Sequence, residues 1–178
     1  NAVPGMLRTS VSHGGASIDT IEHLMSALHG RGISNLVIEV QGGEIPILDG
    51  SAEGWSFLFD AAGIEQQTAA QYCLRVLRKV EVSAGNGAYA RLSPCAKGME
   101  LLYDLRYPHG MLGRQQRCMA INERSFLDEI CRARTFGFYG DLDELRSMGL
   151  ANGANLSNTV VFDSAGLMAG VSLRYADE

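Results

Sequence analysis

Thr20-Ile-Glu-His-Leu-Met-Ser-Ala-Leu-His29 reads as the opening of an amphipathic helix. Ile21, Leu24, Met25 and Leu28 recur at the i, i+3, i+4, i+7 spacing of one buried stripe, and Asp19 with Glu22 forms an Asp-x-x-Glu capping pattern at its start. At ~100° per residue, His23 falls almost opposite that stripe and Glu22 on its flank. A carboxylate and an imidazole side by side in a first helical turn suit metal-assisted hydrolysis. The same positions also suit a solvated histidine beside an acid that complements the helix dipole.

Working outward, Gly30 and Gly32 end this helix, and residues 35–40 place Leu36, Ile38 and Val40 on one face, which predicts a strand closed by Gly42-Gly43. Glu44-Ile-Pro-Ile-Leu-Asp-Gly-Ser51 is too rich in Pro, Gly and Asp to be regular. Ser51 suits the N-cap of a second helix with Trp55, Leu58, Phe59 and Ala62 as its stripe, and Gly63 stands where a helix C-terminal glycine belongs. Residues 66–71 are polar and small, so the chain divides into a first unit at 1–67, a linker at 68–72 and a second unit at 73–178.

In the second unit, residues 74–82, 88–92, 99–107 and 115–121 read as strands of an antiparallel sheet, with a turn at Gly85-Asn86-Gly87. Asn122 can cap a helix running to about Cys131. Asp141 with Glu144 repeats the capping pattern before a short helix carrying Leu142, Leu145 and Met148. Residues 157–162 are the last strand before a Ser164-Ala-Gly166 turn. The order helix, Gly-Ile or Gly-Leu, Asn, apolar strand occurs twice, from His29 and from Met148. The expected fold class is therefore α+β: two related α+β domains, each a sheet with helices on one face, packed against each other.

With 178 residues and 46% hydrophobic content, the chain can bury a real core. A net charge of −5 with dispersed Lys and Arg offers no basic stripe, which argues against nucleic acid as a partner. No apolar run approaches the ~20 residues of a membrane span, and no basic region followed by an apolar stretch opens the sequence. The expected compartment is the cytoplasm. The four cysteines form no Cys-x-x-Cys pair and are expected to be reduced and mostly structural. The sequence starts at Asn1 and stops directly after an apparent strand, so both ends are expected to continue in something longer.

A catalytic zinc takes three protein ligands and keeps a position for water. His13, His29 and His109 make no second close-spaced pair with His23, so these residues fall one or two ligands short. Glu22 fits a general base that takes a proton from metal-bound water. In Arg132-Ala-Arg-Thr-Phe-Gly-Phe138, Thr135 suits a hydroxyl donor to an oxyanion and Gly137 would let a substrate come close. A core strand with a buried, hydrogen-bonded threonine suits the same stretch.

Thr-Ile-Glu-His-Leu (20–24), Gly-Ile-Ser-Asn (32–35), Glu-Ile-Pro-Ile-Leu-Asp-Gly-Ser-Ala (44–52), Ala-Gly-Ile (62–64) and Arg-Thr-Phe-Gly-Phe with Asp141 and Gly149-Leu150 resemble the UDP-3-O-acyl-N-acetylglucosamine deacetylase family. The resemblance implies a cytoplasmic bacterial zinc amidase that removes acetate from an acylated UDP-sugar in the committed step toward lipid A. It further implies two α+β domains with the active site between them, and a small-molecule substrate, an acylated UDP-N-acetylglucosamine. Carried over by position, it makes His23 a ligand of Zn2+ and Glu22 the general base. Thr135 would stabilise the tetrahedral intermediate, Phe136 would lie near the sugar, and Asp49 would be structural support. The remaining zinc ligands, in a His-Lys-x-x-Asp motif, and a histidine for the leaving amine are expected beyond Glu178.

An apolar surface at Phe136, Gly137, Phe138, Leu142 and Val161 would suit the acyl chain, and the same residues would suit an ordinary core. Two departures stand out. Asp104-Leu-Arg-Tyr-Pro108 replaces the common Asp-Phe-x-His-Pro, and Gly153-Ala-Asn155 replaces Gly-Gly-Ser. A monomer is expected. The alternative is a non-catalytic UDP-sugar or acyl-binding module that has lost the metal, and a purely structural domain would leave the 44–51 loop unexplained.

Overall fold

A short apolar stripe becomes a stable helix only when other elements cover it. In the computed structural model, which describes residues 2–5 and 7–178, α1 (Glu22–Gly30) is covered by α2 (Glu53–Ala62) and α3 (Glu123–Glu129). Ala27, Ala52, Phe126 and Cys131 form one buried cluster, and Leu24, Leu28 and Ile45 form another. Trp55 and Phe59 of α2 pack against both. The fold is mixed α+β, and among the described residues no helix is long and apolar enough to cross a membrane.

The buried face of α1 is turned from the expected stripe. Ala27 is fully buried while Met25 is 48% exposed, because α3 approaches from the Ala27 side and a small residue admits the Phe126 ring. Gly30 continues that accommodation, since a Cβ there would overlap the same ring. The expected Asp19 and Glu22 cap does not form. Ile21 occupies the N-cap without a side-chain bond, and both acids turn instead to the preceding strand. Ser10 donates to Asp19 at 2.6 Å, Arg8 pairs with Asp19, and the Thr9 N–H donates to Glu22 Oε2 at 3.1 Å.

Helix α2 begins one residue later than a Ser51 N-cap implies, yet the Ser51 hydroxyl still accepts the Glu53 N–H at 3.1 Å. Leu58 and Ala62 face solvent, so its buried stripe narrows to Trp55, Ser56 and Phe59. Gly63 closes the helix at φ 82°. Asn122 caps α3 as expected, in a reciprocal box with Ser125. Asp141 makes no such cap for α4 (Leu142–Ser147), where Leu142 and Leu145 are half-buried and Met148 is exposed.

Strands β1 (Ala2–Gly5), β2 (Arg8–His13) and β3 (Ala16–Ile18) form an antiparallel meander that the glycines of the sequence obscure. The expected sheet of the second unit resolves into two separate hairpins. These are β4 (Val80–Ser83) with β5 (Tyr89–Leu92), and β6 (Met99–Arg106) with β7 (Arg114–Ile121). A third sheet pairs β8 (Phe136–Phe138) in parallel with β9 (Val160–Asp163), which continues antiparallel into β10 (Gly166–Leu167).

Residues 35–40 and 74–79 carry no strand. Alternation assigns faces but a strand also needs a hydrogen-bonded neighbour, and among the described residues these stretches have none; Val37 stays 85% exposed. Residues 66–71 likewise carry no regular element, while Phe126 and Cys131 from beyond them pack on Ala27 and Ala52 from before them.

The Gly30 position gives a test of this core. Helix propensity alone would make Gly30→Ala stabilising by ~1 kcal/mol, but overlap with the buried Phe126 ring should reverse the sign and cost about 1–3 kcal/mol. A denaturant midpoint equal to or above the parent's would show that Phe126 does not lie over the end of α1.

Candidate active site

The first turn of α1 delivers Glu22 and His23 together. Glu22 is oriented by the Thr9 N–H on Oε2. His23 is half-buried rather than solvated, and burial holds its pKa below 6.5 even though the Glu22 and Asp49 carboxylates pull the other way. The imidazole is therefore mainly neutral near pH 7, the form that offers a lone pair.

The segment 44–51 is stitched onto the start of α1. Asp19 and Ile45 exchange backbone bonds with Gly43 and Asp19 at 2.8 and 3.0 Å, Thr20 donates to Glu44 at 2.7 Å, and Ile45 is buried against Leu24 and Leu28. This brings Asp49 within electrostatic reach of His23. Burial on its own would raise the Asp49 pKa, but hydrogen bonds from Arg174 at 2.8 Å and from the Ser51 hydroxyl and N–H outweigh it and hold the carboxyl below 3.8.

Gly50 then joins this turn to the other half of the chain. Its φ of +82° favours glycine, and a Cβ would overlap the Asn158 carbonyl. The Gly50 carbonyl accepts the Thr135 N–H at 2.8 Å, and the Thr135 carbonyl accepts the Val160 N–H at 2.9 Å. The Asp49-Gly50-Ser51 turn thus borders both regions, with Asp49 in electrostatic reach of His23 and Gly50 bonded to the backbone of Thr135.

The remaining expected positions do not share one surface. The pairs Phe136 with Val160, Gly137 with Val161 and Phe138 with Phe162 are in register, so Val161 lies with Gly137 on the opposite face from the phenylalanines. Phe136 meets Phe138 and Phe162 edge-on, and Phe138 is tilted against Phe162, at centroid distances of 5.9–6.3 Å. Tyr107 meets Phe136 edge-on at 5.4 Å, and His109 packs on Phe138 and Phe162. The His109 Nε2 lies 2.9 Å from the Asp163 carbonyl, which fixes it as the donor nitrogen. The aromatic face is thus filled by the chain's own Tyr107 and His109. Leu142 stands half-buried at the start of α4.

His13 ends β2 and His29 lies in the last turn of α1, both exposed. Among the described residues no three His, Cys, Asp or Glu side chains converge as a metal site. The four thiols are free; Cys73, Cys95 and Cys118 are exposed, and burial pushes the Cys131 thiol up. Arg174, Arg134 and Glu178 escaped the sequence reading. Arg174 reaches Asp49 from 125 positions away and also donates to Ser51 and to the Arg132 carbonyl. No local pattern marks such a partner.

All of residues 1–178 match the family model described as UDP-3-O-acyl N-acetylglycosamine deacetylase. A protein of a Nitratiruptor species named UDP-3-O-acyl-N-acetylglucosamine deacetylase is 40% identical over 178 residues, covering 100% of this chain and 59% of the relative. Its namesake in Legionella pneumophila (strain Corby) is 39% identical over 175 residues, covering 97% of this chain and 57% of the relative. The chain thus spans between half and two thirds of the length of these curated relatives.

The pull of Arg174 on Asp49 has a pH signature. A carboxyl whose folded pKa lies below its unfolded value stabilises the fold above the unfolded value, and that contribution is lost as pH falls through the folded one. Asp49→Asn should therefore lower the denaturation midpoint near neutrality and flatten its decline below pH ~4. An acid limb identical to the parent's would assign the decline to other carboxylates.

Proposed function

The chain belongs to the UDP-3-O-acyl N-acetylglycosamine deacetylase family, and on that premise we propose that it supplies part of the active site of a zinc-dependent amidase. The substrate is an acylated UDP-N-acetylglucosamine, the product acetate, and the step the committed one of lipid A biosynthesis. The observation that supports this reading is the Asp49-Gly50-Ser51 turn, whose Asp49 lies in electrostatic reach of His23 and whose Gly50 is bonded to the backbone of Thr135. We assign the enzyme to the cytoplasm, as a monomer, with domains at 1–67 and 73–178 joined by 68–72.

His23 fits one zinc ligand, since burial keeps its imidazole neutral and unprotonated nitrogen is what zinc requires. Zinc, when bound, supplies a Lewis acid that lowers the pKa of water. The further ligands come from outside these residues. Glu22, directed by its bond from Thr9, takes the proton of the attacking water as general base. The Thr135 hydroxyl donates to the oxygen that gains charge as the acetamide carbonyl becomes tetrahedral. With the backbone of Thr135 bonded on both sides, that donor needs little reorganisation. Phe136, the first residue of β8, is the position that the family resemblance sets near the sugar, and its ring here packs on Tyr107. Gly137 and Val161 open the face of β8 and β9 that the aromatic cluster leaves free, and with Leu142 they suit the acyl chain.

The test uses this chain extended to the full length of its relatives. Glu22→Ala should lower kcat for acetate release by ~10²–10⁴ while zinc content stays unchanged, and His23→Ala should lose bound zinc. Residues 1–178 alone should show little turnover. An unchanged rate in Glu22→Ala removes that residue from the chemistry. A protein at full length that binds the UDP-sugar yet holds no zinc would be a binding module.

A further inference from the structure

Arg134 and Glu178 form the most enclosed ion pair among the described residues, with side chains 7% and 0% exposed. Arg134 Nε donates to Glu178 Oε1 at 2.6 Å and Nη2 to Oε2 at 2.9 Å, a two-point fork that fixes orientation as well as distance. The same carboxylate accepts the Arg134 N–H at 3.0 Å and the Arg174 N–H at 2.6 Å, while Arg134 Nη2 also donates to the Ser172 carbonyl at 2.7 Å. Every strong donor around this carboxylate therefore comes from Arg134, in the irregular segment that leads through Thr135 into β8, or from the 172–178 strap. A buried ion pair is a weak source of net stability, because desolvation offsets the attraction. Its geometry has another consequence.

The backbone around Thr135 is held on three sides. The Arg134 N–H goes to Glu178, the Thr135 N–H to Gly50 and the Thr135 carbonyl to Val160. Gly50 and Val160 hold the peptides that flank Thr135. The Glu178 carboxylate holds the residue before it through both its N–H and its guanidinium, and the Ser172 carbonyl of the same strap takes a further bond from Nη2. We propose that Glu178 is a positioning residue for Thr135, acting through Arg134, so that the strap 172–178 sets the direction of the Thr135 hydroxyl. The proposal rests on the reading of Thr135 as the oxyanion donor.

A double-mutant cycle at the full length of the relatives tests it. Glu178→Gln keeps the shape and removes the charge; it should lower kcat for acetate release by ~10-fold or more, the scale set by small misplacements of a catalytic group. KM and zinc content should stay within ~2-fold. In a Thr135→Ala background the same substitution should change kcat by less than ~2-fold, because nothing is left to position. An equal loss of kcat in both backgrounds, or an unchanged kcat in Glu178→Gln alone, would overturn the proposal. A Thr135→Ala enzyme as fast as the parent would sink the oxyanion reading and the positioning role with it, whereas a slow Thr135→Ala enzyme with independent losses sinks only the second. Should Glu178→Gln not fold, Arg134→Lys keeps the charge, loses the fork and runs the same cycle.

Discussion

The N–H of Thr135 points at the carbonyl of Gly50 from 2.8 Å, and the space where residue 50 would carry a Cβ is taken by the Asn158 carbonyl. Three stretches far apart in the sequence therefore converge on a position that tolerates no side chain. Once Gly50 is placed, Asp49 must turn toward His23 and Arg174, Ser51 must face the start of α2, and β8 must run beside β9. A loop too rich in Pro and Gly for regular structure thus does more to define the site than any helix does. Loops on a rigid scaffold commonly carry function in this way.

The scaffold beneath that loop is small, and the division of labour among its contacts is uneven. Phe126, 2% exposed, holds α3 over α1 and α2 by close packing, helped by Ala27 and Gly30 having almost no side chain. The other ion pairs lie nearer the surface, Arg124 with Asp128 furthest out at 91% and 64% exposure, and a surface pair contributes about 0–1 kcal/mol at best. The enclosed Arg134–Glu178 pair differs in kind. Removing one charge while the other stays enclosed costs about 3–5 kcal/mol. Packing fixes the helices, and the forked ion pair joins the strap to the segment that bears Thr135.

What the sequence disclosed was local. The helix over residues 22–30, the Asn122 cap, the Gly63 stop and the Gly85 to Gly87 turn each depend on neighbours within a few positions and are present, although α1 buries a different face and α3 stops at Glu129 rather than near Cys131. Residues 35–40 show the converse, because alternation names two faces without supplying the partner that makes a strand. Asp19 and Glu22 had a better offer from Arg8, Ser10 and Thr9 than from their own helix, and a capping pattern does not reveal a competing donor. Of the site positions, the Glu22 and His23 adjacency was legible because it lies in one turn. The split of Val161 from the phenylalanines was not, since it depends on the register of a parallel pair. Arg174 on Asp49 was invisible for the same reason on a larger scale.

Tyr107 shows how a sequence departure can be absorbed by packing. The resembled family commonly has a histidine at this position, and here the tyrosine ring meets Phe136 edge-on at 5.4 Å and Phe138 at 6.0 Å. An edge-to-face pair places the positive rim of one ring on the negative face of another and contributes about 0.5–1.5 kcal/mol beyond area burial. The aromatic residue therefore has a packing reason to be where it is. His109, two positions on, completes the same face by holding the Asp163 carbonyl. The turn at 107–109 works as the lid of an aromatic core whose far side carries Gly137 and Val161. Tyr107 and His109 close one side of the three-stranded sheet β10-β9-β8, and the side that carries Gly137, where a Cβ would meet open space, is the approachable one.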